Sequence, residues 1–320
     1  MLVDMPVEDL FKYQGRSPRP ADFDEFWDRS LAQLDAVDPE VELVKADMEF
    51  PYAECYHLYF NGVDGARIHA KLLKPVDPAV KRIPVVNFHG YGGDSGDWSH
   101  YARFAAAGSV VTALDVRSQG FESECDKGIY HNGNGQIFRD LDREPENLIY
   151  RNIFLDCARL ARVTAEIAGT KQVVTHGGSQ GGALSTACAA LAPDVVKLAL
   201  ITFPFLSDYK RVWEMDLAVA AYDEIRTYFR KYDPRHERED EVFTKLGYVD
   251  IQFLAPRITA EVLMVTGLMD TICPPSTQFA MYNKITSKKE VIFYPDFGHE
   301  GLPGLEDIYF KRVMAASLAE

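Results

Sequence analysis

The 320 residues carry a formal net charge of −14, an acidic balance that repels nucleic acid and anionic membrane surfaces and leaves a small or neutral molecule as the expected partner. With 47% apolar and 12% aromatic residues, the chain has material for a large core, which excludes a disordered, fibrous or low-complexity protein. Its five cysteines, Cys55, Cys125, Cys157, Cys188 and Cys273, are widely spaced with no C-x-x-C pair, so reduced thiols are expected rather than a disulfide framework or structural zinc.

The N-terminus lacks the basic start and apolar core of a signal peptide, and no apolar run approaches the ~20 residues of a membrane span. A cytoplasmic location is the expectation. Residues 18–34 place Phe23, Phe26, Trp27, Leu31 and Leu34 at helical spacing behind Asp22, predicting an N-terminal amphipathic helix with Asp22 as its cap. Tyr56, Leu58 and Phe60, then Ile68, Ala70 and Leu72, alternate with polar residues around Asn61-Gly62-Val63-Asp64-Gly65, the pattern of an antiparallel hairpin. From Pro84 the rhythm changes to continuous apolar runs at 85–88, 110–114, 198–201, 262–265 and 291–294, separated by helical patterns such as that of Trp98, Tyr101 and Phe104. Such runs predict a mostly parallel sheet with helices on both faces, an α/β fold in a single domain over 1–320.

Two segments interrupt the alternation. Residues 120–142 are rich in Gly and Asn, which marks a functional or mobile loop. Residues 206–257 form a mainly helical insertion, with Val212, Trp213, Leu217, Ile225, Tyr228 and Phe229 spaced as one face, a candidate cap over a site. The charge run at 235–241 reads as a solvated connection.

The chemistry gathers around Thr175-His176-Gly177-Gly178-Ser179-Gln180-Gly181-Gly182, which follows a short apolar run and opens an Ala-rich helical pattern. This is G-x-S-x-G in the strand, tight turn and helix context the motif requires. Glycines at 177 and 181 leave room for a sharp turn that lifts the Ser179 hydroxyl to the positive end of a helix, where an activated nucleophile is favoured. The alternative is a glycine loop that packs closely or cradles a phosphate.

A nucleophilic serine needs a base, and the base needs an orienting acid. Asp270 follows the strand at 262–265 and His299 follows the strand at 291–294, the serine, acid, histidine order of an α/β-hydrolase. Asp208 and Asp296 compete for the acid, and His89, His131 and His176 for the base. Two backbone donors are expected for the oxyanion: the N–H of Gln180, next to the serine, and that of Tyr91 in His89-Gly90-Tyr91-Gly92-Gly93. The Tyr91 ring is also a candidate wall for the acyl pocket. No H-E-x-x-H is present, and neither a metal nor a cofactor is expected.

Gly177-Gly178-Ser179-Gln180-Gly181-Gly182, Asp115-Val116-Arg117-Ser118-Gln119-Gly120 and His299-Glu300 together resemble the acetyl xylan esterase and cephalosporin C deacetylase family, carbohydrate esterase family seven of the α/β-hydrolase superfamily. The likeness extends to Phe23-Asp24-Glu25-Phe26-Trp27 and to the stretch from Gly267 to Pro275, so it covers nearly the whole chain. Residue by residue it implies Ser179, Asp270 and His299 as the triad, with the Tyr91 and Gln180 amides as the oxyanion hole. It also implies hydrolysis of short acyl esters, chiefly acetate, from sugars and cephalosporin C-like alcohols, without metal or cofactor, by an intracellular homo-hexamer whose sites face an inner cavity. Ser118 stands where the family pattern R-G-Q-G has its first glycine, which predicts either a strained serine or a rebuilt loop.

Overall fold

The computed structural model of the chain describes residues 3–77, 82–120, 123–124, 135–217 and 219–318. Its strands are β1 (Glu42–Phe50), β2 (Ala53–Asn61), β3 (Arg67–Pro75), β4 (Arg82–Phe88), β5 (Ser109–Leu114), β6 (Val173–Gly178), β7 (Val196–Thr202), β8 (Glu261–Gly267) and β9 (Lys289–Tyr294). They form one nine-stranded sheet in the order β1-β2-β3-β5-β4-β6-β7-β8-β9. The expected hairpin is β2 and β3, with Tyr56 opposite Leu72 and Phe60 opposite Ile68. β1 and β5 flank it antiparallel, and every pairing from β5 to β9 is parallel. The parallel strands are legible as apolar runs because they are covered on both sides; all six residues of β5 are buried.

The helices are α1 (Val7–Leu10), α2 (Phe23–Asp35), α3 (Ala102–Ala106), α4 (Ile149–Ala168), α5 (Gln180–Leu191), α6 (Tyr209–Glu214), α7 (Asp223–Tyr232), α8 (Glu239–Leu246), α9 (Ile251–Leu254), α10 (Pro275–Tyr282) and α11 (Leu305–Leu318). Among the described residues, no helix is long and apolar enough to cross a membrane. One face of the sheet carries a cluster that joins Phe26, Trp27, Phe154 and Leu184 to Val212, Tyr222 and Phe243 of the insertion. The other carries Val85, Phe104, Leu263 and Tyr309 under α3 and α11. Residues 206–257 therefore share the core of the sheet rather than building their own.

The N-terminal helix differs from its expected start. Asp22 makes no capping bond; its carboxylate instead accepts the Tyr248 hydroxyl, which holds that carboxyl below its usual range. The Trp27 indole N–H donates to the Tyr248 carbonyl at 3.0 Å, and the Phe26 and Tyr248 rings meet at 4.6 Å. A tertiary contact with the insertion has displaced the local cap.

Beneath the sheet, Arg117 and Asp156 form a two-pronged ion pair, Nε to Oδ2 and Nη2 to Oδ1, both 2.8 Å. Both side chains are 1% exposed. Burial pushes the Asp156 carboxyl up, and the guanidinium offsets that only in part. Gly62 makes the pair possible, since a Cβ there would lie 2.3 Å from Asp156 Oδ1 and 2.5 Å from Arg117 Nη2. The pair thus fastens the hairpin, the loop after β5 and α4 at one point. Asp156→Asn should remove the negative charge that answers the buried Arg117 guanidinium and lower the unfolding free energy by about 3–5 kcal/mol. A urea melt showing a loss under about 1 kcal/mol would contradict this role.

Candidate active site

β6 ends at Gly178 and α5 begins at Gln180, so Ser179 alone turns the corner, with φ +57° and ψ −123°. A serine at positive φ costs about 1–3 kcal/mol and persists only where its surroundings hold it. Here its N–H donates to the Thr202 carbonyl at 3.0 Å, and its own carbonyl accepts from Ala183 and Phe205, each at 3.1 Å. The neighbouring glycines are sterically required. A Cβ on Gly177 would lie 2.5 Å from the Gly181 backbone, and one on Gly181 would lie 2.2 Å from the Phe88 carbonyl oxygen. Both obstacles are main chain and cannot swing aside. The half-buried Ser179 therefore stands over the first N–H of α5, which has no partner within the helix.

Three residues after β8, Asp270 is fully buried, and five after β9, His299 presents a ring 20% exposed. His299 Nδ1 lies 2.9 Å from Asp270 Oδ2, while Oδ1 accepts the backbone N–H groups of Ile272 and Cys273, both at 2.8 Å. A carboxylate so placed is acceptor only, so His299 carries its proton on Nδ1 and keeps a lone pair on Nε2. The Phe203 ring packs on the imidazole at 4.3 Å. Cys273 adds a third side chain: its Sγ lies within 4.8 Å of ligand-type atoms of Asp270 and His299. Asp270, Cys273 and His299 therefore make one cluster, and His299 lines one cavity with Gly178 and Thr202, the residues that respectively precede Ser179 and accept its backbone N–H. Asp270, Cys273 and His299 are donor types that could bind a metal, but both Asp270 oxygens already accept N–H groups and burial holds Cys273 as a thiol.

The loop after β4 is locked to this corner. Gly93 N–H closes a turn on the Gly90 carbonyl at 3.1 Å. Gln119 and Gln180 exchange side-chain amide bonds of 2.9 and 3.0 Å, Gln119 Oε1 also accepts the Gly92 N–H at 2.9 Å, and the Tyr150 hydroxyl donates to Gln180 Oε1 at 2.7 Å. Tyr91 sits inside this turn, so its backbone and that of Gln180 are held in one register. Its hydroxyl donates to Glu224 of α7 and accepts from Gly135 and Gln136 N–H at 3.1 and 3.0 Å. Burial and the Glu224 charge push that phenol well up. The Gln119 pairing was signalled only by the motif around it. Cys273, Tyr150 and Glu224 carried no signal by spacing.

The sequence matches the acetyl xylan esterase (AXE1) family over residues 1–314. The chain belongs to the acetyl xylan esterase family. It is similar to the crystal structure of acetyl xylan esterase 1 from Thermoanaerobacterium sp. JW/SL YS485, with 50% identity and a TM-score of 0.93 over 98% of this chain and 99% of that one. It is also similar to the acetyl xylan esterase from Paenibacillus sp. R4, with 35% identity and a TM-score of 0.88 over 97% and 99% of the two chains. Acetyl esterase Axe7A of Xylanibacter ruminicola is 27% identical over 286 residues, 86% of this chain, which spans 62% of that protein's length. The Pyrococcus horikoshii acylaminoacyl peptidase, 18% identical with a TM-score of 0.54 over 83% of this chain and 41% of that one, shares the α/β-hydrolase fold alone.

Against the family's pattern, Ser118 adopts the strained alternative. It holds φ +65° while fully buried, and its hydroxyl accepts from Arg139 Nη1 at 2.9 Å. The positive φ costs roughly 1–2 kcal/mol, which that bond offsets in part. The competing histidines have other work. His89 donates from Nδ1 to the Gly90 carbonyl at 2.7 Å and accepts the Val116 N–H at Nε2, 3.0 Å away. His176 pairs with Asn87 at 2.5 Å, and burial lowers it to about 4. His131 lies outside the described residues.

The competing acids face elsewhere. Asp296 is exposed, and Asp208 accepts the Tyr13 hydroxyl at 2.7 Å and the Arg16 and Ser17 N–H groups at 2.8 Å, pinning the N-terminal segment. Behind it, Asp250 accepts the Asp208 N–H at 3.0 Å, and burial together with the Asp208 charge raises its carboxyl to about 7. With the folded value above the unfolded one, the folded state keeps a proton that the unfolded chain has released. This group's contribution to stability therefore falls as pH rises from about 4 to about 7. Asp250→Asn, which cannot ionise, should gain stability relative to the native chain across that interval in urea melts run at several pH values. A difference independent of pH would contradict the assignment.

Proposed function

We propose that this chain is a serine esterase that removes acetyl groups from acetylated sugars, xylo-oligosaccharides among them, and from similar acetate esters such as cephalosporin C. The observation that carries the reading is the buried Asp270 bonded to His299 beside the strand-to-helix corner that Ser179 turns. His299 Nε2 takes the Ser179 proton as the hydroxyl oxygen attacks the acetyl carbon. The carbonyl oxygen, now an anion, is received by the backbone N–H groups of Gln180 and Tyr91, each such donor being worth about 3–4 kcal/mol of barrier. The imidazolium, steadied by Asp270, returns the proton to the departing sugar oxygen and leaves acetyl-Ser179. Water then repeats the sequence with His299 as base, releasing acetate and free serine.

Support for a short acyl group comes from the names of the two structural relatives and from the tight ring packing around Phe205, the residue bonded to the Ser179 backbone. Phe205, bonded through its N–H to the Ser179 carbonyl, packs its ring against Tyr91 at 5.8 Å and Tyr222 at 4.4 Å. Longer acyl chains must displace packed rings, at about 1–3 kcal/mol for overpacking. We also propose that copies of the chain associate, hexamers included, since the edge strand β1 exposes Leu43, Val44 and Met48.

The test is a series of 4-nitrophenyl esters from acetyl to octanoyl, with acetylated xylose and cephalosporin C, on the native enzyme and on Ser179→Ala. The expected outcome is highest activity on acetyl, a fall of about tenfold or more by butyryl, and loss of several orders of magnitude in the variant. A maximum at octanoyl would overturn the acetyl specificity. Undiminished turnover in the variant would overturn the nucleophile.

A further inference from the structure

Outside the serine cluster lies a cleft of about 840 Å³ between α7 and the segment at 135–142, with Tyr91 as part of its inner wall. That volume is far beyond what an acetyl group needs and lies within the ~300–1,000 Å³ span of sites that enclose whole small molecules. Tyr91 belongs to both places: its backbone turns beside Gln180, while its ring and hydroxyl face the cleft. The cleft therefore adjoins the turn that the Gln119–Gln180 pair holds against the Ser179 corner.

The lining is an aromatic strip with polar groups along its edge. The Phe138 and Tyr228 rings stack at 4.8 Å, and the Tyr232 ring continues from Tyr228 at 5.6 Å. Tyr232 is 70% exposed, so it contributes little to the core, and an aromatic ring left at the mouth of a cleft is the kind of surface that marks a binding site. Thr227, Asp142 and Asp223 supply oxygens that accept hydroxyl protons. Glu224 adds a third carboxylate, against Arg139 as the cation of the lining. Rings for the C–H faces of a pyranose and acceptors for its hydroxyls describe a saccharide, and with Arg238 on Asp142, Arg226 on Asp223 and Arg139 in the lining the charges balance, which suits a neutral one.

We propose that this cleft binds the sugar backbone of the substrate, a neutral xylo-oligosaccharide running from the acetylated residue at Ser179 outward past Tyr91 to the exposed ring of Tyr232, which the buried Tyr228 supports from behind. The assignment rests on the acetyl esterase reading and adds to it where the unreacting sugars sit. Tyr232 is then a specificity residue, used by oligosaccharides and untouched by small esters.

The experiment compares kinetics on 4-nitrophenyl acetate, acetylated xylose and acetylated xylotetraose for the native enzyme, Tyr232→Ala, Tyr232→Phe and Thr227→Trp, the last placing a bulky ring in the cleft at an exposed position. The native enzyme should show a lower KM for the tetraose than for the xylose ester, and a higher KM for a tetraose bearing a glucuronic acid branch. Tyr232→Ala and Thr227→Trp should raise the tetraose KM about fivefold or more while leaving 4-nitrophenyl acetate turnover within about twofold, and Tyr232→Phe should keep the native value. Equal KM for the xylose and tetraose esters, or a tetraose KM unmoved by both Tyr232→Ala and Thr227→Trp, overturns the cleft and leaves the esterase reading intact. A native enzyme that cleaves none of the acetate esters overturns both.

Discussion

The structure depends on a steric constraint at one residue. Ser179 occupies a positive φ that serine avoids, between a strand buried on both faces and a helix packed on that sheet. Two strands must come close enough for Gly181 to lie against the Phe88 carbonyl, so β4 and β6 are neighbours and no side chain fits between them. The rest of the site can be read outward from that approach. The loop after β4 reaches the corner through it, and the Gln119–Gln180 amide pair fixes how far. The loops after β8 and β9 bring Asp270 and His299 to the same edge.

Carboxylates tie these loops down, Asp270 and Asp208 fully buried and Glu224 partly so. Asp270, Asp208 and Glu224 each accept two backbone N–H groups and one side-chain partner, so each joins segments far apart in sequence. Desolvating a carboxylate is expensive unless such donors are in place, which makes each of these joints all or nothing. Glu224 has the widest reach of the three. It links the insertion to Tyr91 and to the segment at 135–137, so residues 206–257 shape the surroundings of the site without supplying any member of the Ser179 cluster.

Much of this was legible because it is local or periodic. The hairpin showed in the alternation from Tyr56 to Leu72, the parallel strands in their apolar runs, and the corner at Ser179 in the glycines that a turn there requires. β1 was not legible, because Ala46 is its one buried residue and a strand open on both faces has no alternation to read. Asp22 looked like a helix cap because capping is judged from neighbours in sequence, whereas Tyr248 reaches it from the insertion. Asp208 looked like a possible acid for the same reason. Its position after β7 fitted, but its left-handed φ of +51° turns it toward Tyr13, a partner 195 residues away. Cys273 and Glu224 were missed because their roles arise only from contacts made after folding.

The central claim is that acyl transfer runs through Ser179, and a covalent probe tests it most directly. Treatment with a small sulfonyl fluoride, followed by peptide mapping, should find one adduct per chain on the peptide containing Ser179, rising in proportion to the loss of acetyl esterase activity. Complete inactivation with that peptide unmodified, or an adduct on Ser179 that leaves activity untouched, would contradict the account.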